Sequence, residues 1–418
     1  MRSILPDIVF IVLIYLNPMK IVELDTPSTE EKKSLSYSLR DLVLYFLKLG
    51  TWGFGGPVAL VGYMNRDLVE KKGWLTEEEY KEGLALAQLA PGPLAAQLGI
   101  YIGFVHYRLL GATLVGLAFV LPSFIMVVLL GMAYKLYSGL PWMQAVFYGV
   151  GAAVIGIITM SAYKLTIKSI SKLNGAAIKT NWLLWLFYVV GIIVTVVTQR
   201  EEVLLFIATG LIYMLVKAPP AWIKRQPTAQ SIILAGIGFW EYSNDALLKI
   251  GLFFAKAGAF VFGSGLAIVP FLHAGVVQQF GWLTESEFVD SVAVAMITPG
   301  PVVITVGFIG YLVAGFPGAG VAALATFLPC FLFTVILAPS FKKIAKNHSI
   351  KAFVDGITAS VIGALVGSVI IIGTRSIVDI PTAIIAVAAV LGLIYVKKLQ
   401  EPHIILIAAI VGVIVKTI

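Results

Sequence analysis

The sequence predicts an all-α polytopic membrane protein. It reads as two inverted-topology repeats of about five spans each, every repeat carrying a broken or re-entrant Pro-Gly-Pro helical hairpin. Three observations predict this. The 418 residues are 59% hydrophobic and only 12% charged, where soluble domains carry about 25% charge. A long segment of the first half recurs in the second. Lysine and arginine gather in alternate loops between the apolar runs.

Composition excludes several classes. A soluble chain of mean hydropathy +0.95 would expose large apolar patches, so the lipid bilayer is the solvent that fits. Forty glycines and nineteen prolines suit closely packed and interrupted helices. The net charge of +8 sits in short loops and reads as membrane orientation, not as a nucleic-acid surface. Cys330 is the single cysteine, so there is neither an intrachain disulfide nor a thiolate metal cluster. His106, His273, His348 and His403 are scattered. No phosphate-binding Gly-x-x-x-x-Gly-Lys-Ser/Thr loop and no His-Glu-x-x-His pair is present. The expectation is therefore no enzyme, no metal and no cofactor.

The repeat is exact in register. Lys48–Pro93 aligns with Lys256–Pro301 at an offset of 208 without a gap, and 18 of 46 positions are identical. Gly73-Trp74-Leu75-Thr76-Glu77 returns as Gly281-Trp282-Leu283-Thr284-Glu285, and Pro91-Gly92-Pro93 as Pro299-Gly300-Pro301. After one deletion the offset becomes 207, and Leu121-Pro122 matches Leu328-Pro329. Duplication divides the chain into an N-terminal segment 1–38, a first repeat 39–217, a linker 218–245 and a second repeat 246–418. Residues 4–16 are apolar but short for a span, and Met19 is an alternative start, so the first eighteen residues stay out of the span count.

Runs long enough to cross a bilayer fall at 39–64, 111–136, 141–163, 181–198 and 201–217, then at 246–272, 317–341, 351–374, 380–396 and 403–417. Between the first two runs of each half lie 77–107 and 285–314, each with Pro-Gly-Pro near its middle. Each opens on a capping box, Thr76 with Glu79 and Thr284 with Glu287. Pro-Gly-Pro cannot continue a helix, so each segment is a broken span or a re-entrant hairpin. Arg66, Lys71, Lys72 and Arg108 flank the first, whereas 273–316 holds no lysine or arginine. Loop charge thus puts the two copies on opposite faces, with the first inside. Five crossings per half then invert the second copy, a common architecture of secondary transporters.

Helix breaks near the membrane midplane are the best sequence pointer to a transport site. Gly53-Phe54-Gly55-Gly56-Pro57 and its counterpart Val261-Phe262-Gly263-Ser264-Gly265 form one pair. Pro91-Gly92-Pro93 and Pro299-Gly300-Pro301 form the other. A helix restarting after a break presents free N–H groups and a positive dipole end, which attract anions. Lys48 and Lys256 stand at equivalent positions roughly 14 Å along their spans. An intramembrane lysine is costly, about 2.5–3.5 kcal/mol, and normally faces a cavity or a partner. Gln88 and Gln97 flank the first Pro-Gly-Pro, and Thr305 stands in the place of Gln97; such groups can donate to oxyanion oxygens. Glu82 and Asp290 are equivalent acids, read first as complements of a helix N-terminus and second as proton carriers.

The spaced motifs Phe54-Gly55-Gly56-Pro57, Trp74-Leu75-Thr76, Leu89-Ala90-Pro91-Gly92-Pro93, Gln97-Leu98, Tyr101-Ile102-Gly103-Phe104, Leu117-Ala118-Phe119-Val120-Leu121-Pro122, and Phe262-Gly263-Ser264-Gly265 with Pro299-Gly300-Pro301 resemble the chromate ion transporter family in its long, two-domain form, across about residues 40–415. The resemblance implies a multi-pass plasma-membrane carrier that exports chromate, with sulfate as the look-alike dianion. It carries onto Gly55, Gly56, Pro57, Pro91, Gly92, Pro93, Gln97 and their second-half counterparts. Two positions depart from the family pattern: Leu60, where a His or Gln is common, and Leu94, where a Glu is common. The expected mechanism is alternating access, with the anion between two rocking halves. A carrier for sulfate or another small anion, and a non-transporting membrane scaffold, are the competing readings. A homodimer is compatible with the sequence.

Overall fold

The computed structural model describes residues 37–54, 56–171, 175–199, 203–220, 245–261, 265–341, 347–396 and 399–417. The N-terminal segment to 36, linker residues 221–244, and the predicted site residues Gly55, Gly263 and Ser264 lie outside them. Every described element is helical.

The first repeat opens with α1 (Leu39–Trp52), started by a Ser38–Asp41 capping box. The chain breaks at Gly53-Phe54, restarts as α2 (Gly56–Met64) and widens into a π-turn over Asn65–Lys71. α3 (Glu77–Leu89) begins at Thr76, whose hydroxyl accepts from the Glu79 N–H while Glu79 accepts from the Thr76 N–H. After Pro-Gly-Pro comes α4 (Leu94–Tyr137), then α5 (Pro141–Ser169), a short α6 (Gly175–Thr180), α7 (Trp182–Thr198) and α8 (Val203–Lys217). The second repeat follows the same plan. It has α9 (Ala246–Ala259), α10 (Ile268–Leu272) with a π-turn over His273–Gln279, and α11 (Glu285–Ile297), whose expected Thr284–Glu287 box is formed. α12 (Thr305–Leu337), α13 (His348–Ser376), α14 (Ile380–Tyr395) and α15 (Glu401–Thr417) complete it.

Four of these helices are long and apolar enough to cross a membrane: α4, α5, α13, and α12 with the turn before it. α7, α8 and α14 are shorter apolar helices. The Pro-Gly-Pro segments are helical hairpins. α3 has 13 residues, about 20 Å at 1.5 Å per residue, too short for a hydrocarbon core of about 30 Å. Gly83 of α3 lies against the ring of Tyr101 in the opening arm of α4.

That arm ends at a sharp corner. Tyr107 (φ −131°, ψ 19°) and Arg108 (φ 54°, ψ −147°) leave the helix, and Ala314 (φ −138°, ψ 28°) and Gly315 (φ 62°, ψ −152°) make the same corner within α12. The corner allows Gly103 to meet Gly111 backbone to backbone, and Gly310 to meet Gly318. Its second position belongs to glycine, and a non-glycine residue there is strained by about 1–3 kcal/mol. Arg108→Gly should therefore stabilise the protein by about 1 kcal/mol after the extra chain entropy of glycine is subtracted. A detergent melting curve that does not move upward would contradict the strain.

α5 and α13 are the central pair. Their most apolar stretches are 67% and 72% buried, against 39% for α4 and 28% for α12. Each is clasped by helices of the opposite repeat. α13 packs on α7 and α8, and α5 packs on α14 and α15. The seams are glycine contacts of the kind that let membrane helices approach closely. Gly356 meets the Thr209 backbone, Gly363 meets Tyr188, Gly149 meets Ala408 and Gly412, and Gly156 meets Ala386. α1 with α4, and α9 with α12, pair inside their own repeats, while α4 also packs on α12.

Candidate functional site

The two kinds of break are tied together across the repeats. The Gly92 N–H donates to the carbonyl of Val261 at 2.5 Å, and the Gly300 N–H donates to the carbonyl of Gly53 at 2.9 Å. Gly92 and Gly300, and likewise Gly53 and Val261, are equivalent at the offset of 208. Each Pro-Gly-Pro turn therefore pins the other repeat's break. Positive φ, 145° at Gly92 and 98° at Gly300, is what aims the N–H across, and only glycine adopts it cheaply. Side chains repeat the exchange: a Cβ at Gly92 would press on Gln97 and Cys330, and one at Gly300 on Ser123, which is the counterpart of Cys330. These two glycine N–H groups are thus committed to carbonyls. At the N-terminus of α4, Pro93 provides no side-chain cap, and Leu94 to Gly103 are buried.

The predicted residues divide. Pro93, Gln97, Pro299, Gly300, Pro301, Thr305 and Gly265 are buried, and Gly56, Pro57 and Pro91 are partly buried. Gln97 donates from Nε2 to the Pro91 carbonyl at 2.8 Å, leaving its Oε1 buried without a hydrogen-bond partner. The Thr305 hydroxyl donates to the Val302 carbonyl at 2.9 Å. Gln88 is exposed on α3 and joins neither group. Leu60 is fully buried and packs into the crook at Gly53, and Leu94 is 4% exposed. An apolar side chain thus fills both of these buried positions.

Lys48 lines a cleft of about 940 Å³ with Asp41, Tyr45, Arg66, Lys72 and Trp74, directly beside the first break at Gly53-Phe54. Arg66 and Lys71 pair with Asp67 at 2.9 and 3.5 Å. The Arg66 hydrogen bond holds the Asp67 carboxyl below its usual range. Lys72 lies 3.9 Å above the Trp74 ring and 5.6 Å from that of Tyr45. Lys48 makes no ion pair among the described residues. Four cations thus face two carboxylates in an aromatic-walled cleft.

The equivalent region of the second repeat is closed. Phe253, Phe271 and Phe280 replace Tyr45, Tyr63 and Lys72, and Ala274, Gly275 and Gln279 replace Arg66, Asp67 and Lys71. Phe280 stacks on Trp282 at 4.4 Å and meets Phe253 edge-on at 5.6 Å. It takes the place that the Lys72 ammonium holds in the first repeat. Lys256 is exposed and lies 5.8 Å from the Phe271 ring, outside any comparable cleft.

A second polar cleft, about 540 Å³, is lined by Tyr134, Tyr148, Glu285, Asp290 and Arg375 among others. Asp290 is 4% exposed and accepts from the Tyr134 hydroxyl at 2.7 Å, so it is no simple surface complement of the α11 dipole. At the rim, Glu285 binds His273 at 2.7 Å, Gln278 at 3.0 Å, and Arg375. Burial alone would raise the Glu285 carboxyl, but His273 and Arg375 bring it below its ordinary value. Sequence reading missed the Arg66–Lys72 wall and the Tyr134–Asp290 pair. Reading differences as well as identities at the repeat offset would have found the first. Among the described residues no group of three or more histidine, cysteine or acidic side chains could hold a metal.

Comparison with known proteins agrees with the motifs. The family model described as "Chromate transporter" matches residues 40–215 and again 248–413. The chain is 62% identical over 383 residues to the chromate transport protein of Cupriavidus metallidurans, covering 91% of this chain and 94% of that one. It is 59% identical over 385 residues to a probable chromate transport protein of Synechococcus elongatus, covering 91% and 96%. A chromate transport protein of Pseudomonas aeruginosa is 28% identical over 405 residues, covering 93% and 95%. No solved structure matches the chain. Two matched regions, one per repeat, and relatives aligned along nearly their whole length lead to one conclusion: this membrane protein belongs to the chromate transporter family.

Proposed function

We propose that the chain is a secondary transporter of the plasma membrane that exports an oxyanion, chromate first, by alternating access. The observation that carries this is the cationic cleft of Lys48, Arg66, Lys71 and Lys72 beside a helix break. By loop charge this cleft opens to the cytoplasm, and the cleft at Asp290 opens outward. Chromate is a tetrahedral dianion, and clustered ammonium and guanidinium groups suit its charge. An inside-negative potential favours its exit by about 2.3 kcal/mol per charge per 100 mV.

The reciprocal bonds at Gly92 and Gly300 support a pseudo-two-fold axis and inverted repeats, with the Pro-Gly-Pro hairpins entering and leaving on one face. The clasping of α5 by α14 and α15, and of α13 by α7 and α8, argues for a moving boundary between that six-helix group and the group of α1–α4 and α9–α12. The sequence halves themselves are then not the moving bodies. Inside-out vesicles should accumulate chromate, more so under an imposed potential, and excess sulfate should compete because it has the same shape and charge. Accumulation blind to sulfate would narrow the substrate. No accumulation by correctly inserted protein would refute chromate export and favour a scaffold.

A further inference from the structure

We propose that the carboxyl of Asp290, held by Tyr134, binds a proton from the outer cleft and admits the oxyanion to that cleft only when protonated. The idea rests on the transport reading above. Asp290 lies in the second turn of α11, beyond the Thr284–Glu287 capping box. Its carboxylate is almost wholly buried yet lines the cleft, and its hydrogen-bond donor is a phenol from the opposite repeat.

The surrounding charges are committed elsewhere. Arg375 of α13 binds Glu285 and, at 2.9 Å, the Gln199 side chain. Lys135 of α4 lies over the Tyr311 ring of α12 at 5.7 Å, and Lys416 of α15 over the Tyr148 ring at 4.4 Å. Tyr148 of α5 donates to Asp379 at 2.6 Å. His273 binds Glu285. Glu285 and Glu287 on α11 itself add negative charge, and α12 adds only Tyr311 and Cys330 as titratable groups. An ionised Asp290 would meet an incoming dianion with like charge in a poorly hydrated space, whereas its neutral acid would not repel it. The pair occurs once: Glu82 is the counterpart of Asp290, but Phe341 stands where Tyr134 does. The second repeat therefore has no phenol at the place equivalent to Tyr134, and the gate belongs to the outer side.

The test uses the full chain in proteoliposomes of known orientation, with chromate export followed against external pH. In the wild type, flux should fall about tenfold per pH unit above the titration point, as for one required proton. Asp290→Asn, a permanent mimic of the neutral acid, should lose this slope and exceed the wild type at alkaline external pH. Tyr134→Phe should keep the slope but move its midpoint upward by about one pH unit, since the phenol favours the ionised form. His273→Gln should leave the slope in place. A slope that survives Asp290→Asn, or disappears with His273→Gln, would overturn the proposal.

Infrared difference spectra between acid and alkaline pH add a readout independent of flux. A carboxylic-acid carbonyl band should be present in the wild type and absent from Asp290→Asn. Its persistence in the variant would overturn the proton site. A band that behaves as expected in vesicles with no anion flux would uphold the proton site and refute the transport reading.

Discussion

Residues 1–217 expressed alone should not yield a folded membrane protein, and neither should 218–418. Co-expressed as two chains, they should recover a stable particle. The reason is the exchange of helices. Without the second repeat, α7 and α8 lose α13, and α5 loses α14 and α15. The glycines of α5, Gly149 and Gly156, would then face lipid where the Ala408 and Ala386 backbones belong. In a bilayer, helix association depends on close packing more than on the hydrophobic effect, so lipid cannot replace a partner that fits a glycine surface. A cut after Lys217 falls outside every helix of these seams, which is why separate halves should complement. Size-exclusion profiles in detergent decide the matter. A monodisperse, thermally cooperative first half on its own would show that the repeats fold as independent units and that the clasp is secondary.

Much of this arrangement is legible in the sequence, and what is not has a physical reason. The Pro-Gly-Pro breaks and the two capping boxes rest on local rules, and α3 and α11 begin and stop where those rules say, whereas α4 and α12 run on through Pro122, Pro317 and Pro329. The pairing of α5 with α14 and α15 is invisible because a helix surrounded by lipid and apolar partners shows no polar face to orient it. Only small residues mark its seams, and Gly149, Gly156, Gly356 and Gly363 are four among forty glycines. The lysines illustrate a different limit. Lys48 and Lys256 are equivalent by alignment, and symmetry suggested equal roles. Their surroundings differ because Lys72 became Phe280 and Arg66 became Ala274, which fills one cleft with rings and leaves the other open and charged.

That asymmetry fixes the expected ranking of the lysine variants. Lys48→Met should reduce chromate flux far more than Lys256→Met, and Lys72→Phe should approach the effect of Lys48→Met. One unit charge about 6 Å from a dianion in water-like surroundings changes binding about tenfold at low ionic strength. Each lost cation of the Lys48 cleft should therefore cost about tenfold, and the double variant about a hundredfold if the two act independently. Added salt should shrink both effects, because a Debye length near 10 Å at 0.1 M screens an open cleft. Lys72→Phe also separates charge from folding. Phenylalanine already fills the equivalent space in the second repeat, stacked on Trp282 and against Phe253, and Trp74 and Tyr45 offer Lys72 the same two rings. The variant should insert and melt like the parent, so its lost flux would report the missing ammonium. Equal losses from Lys48→Met and Lys256→Met would instead restore a symmetric site, with the anion on the axis that joins the Gly92 and Gly300 turns.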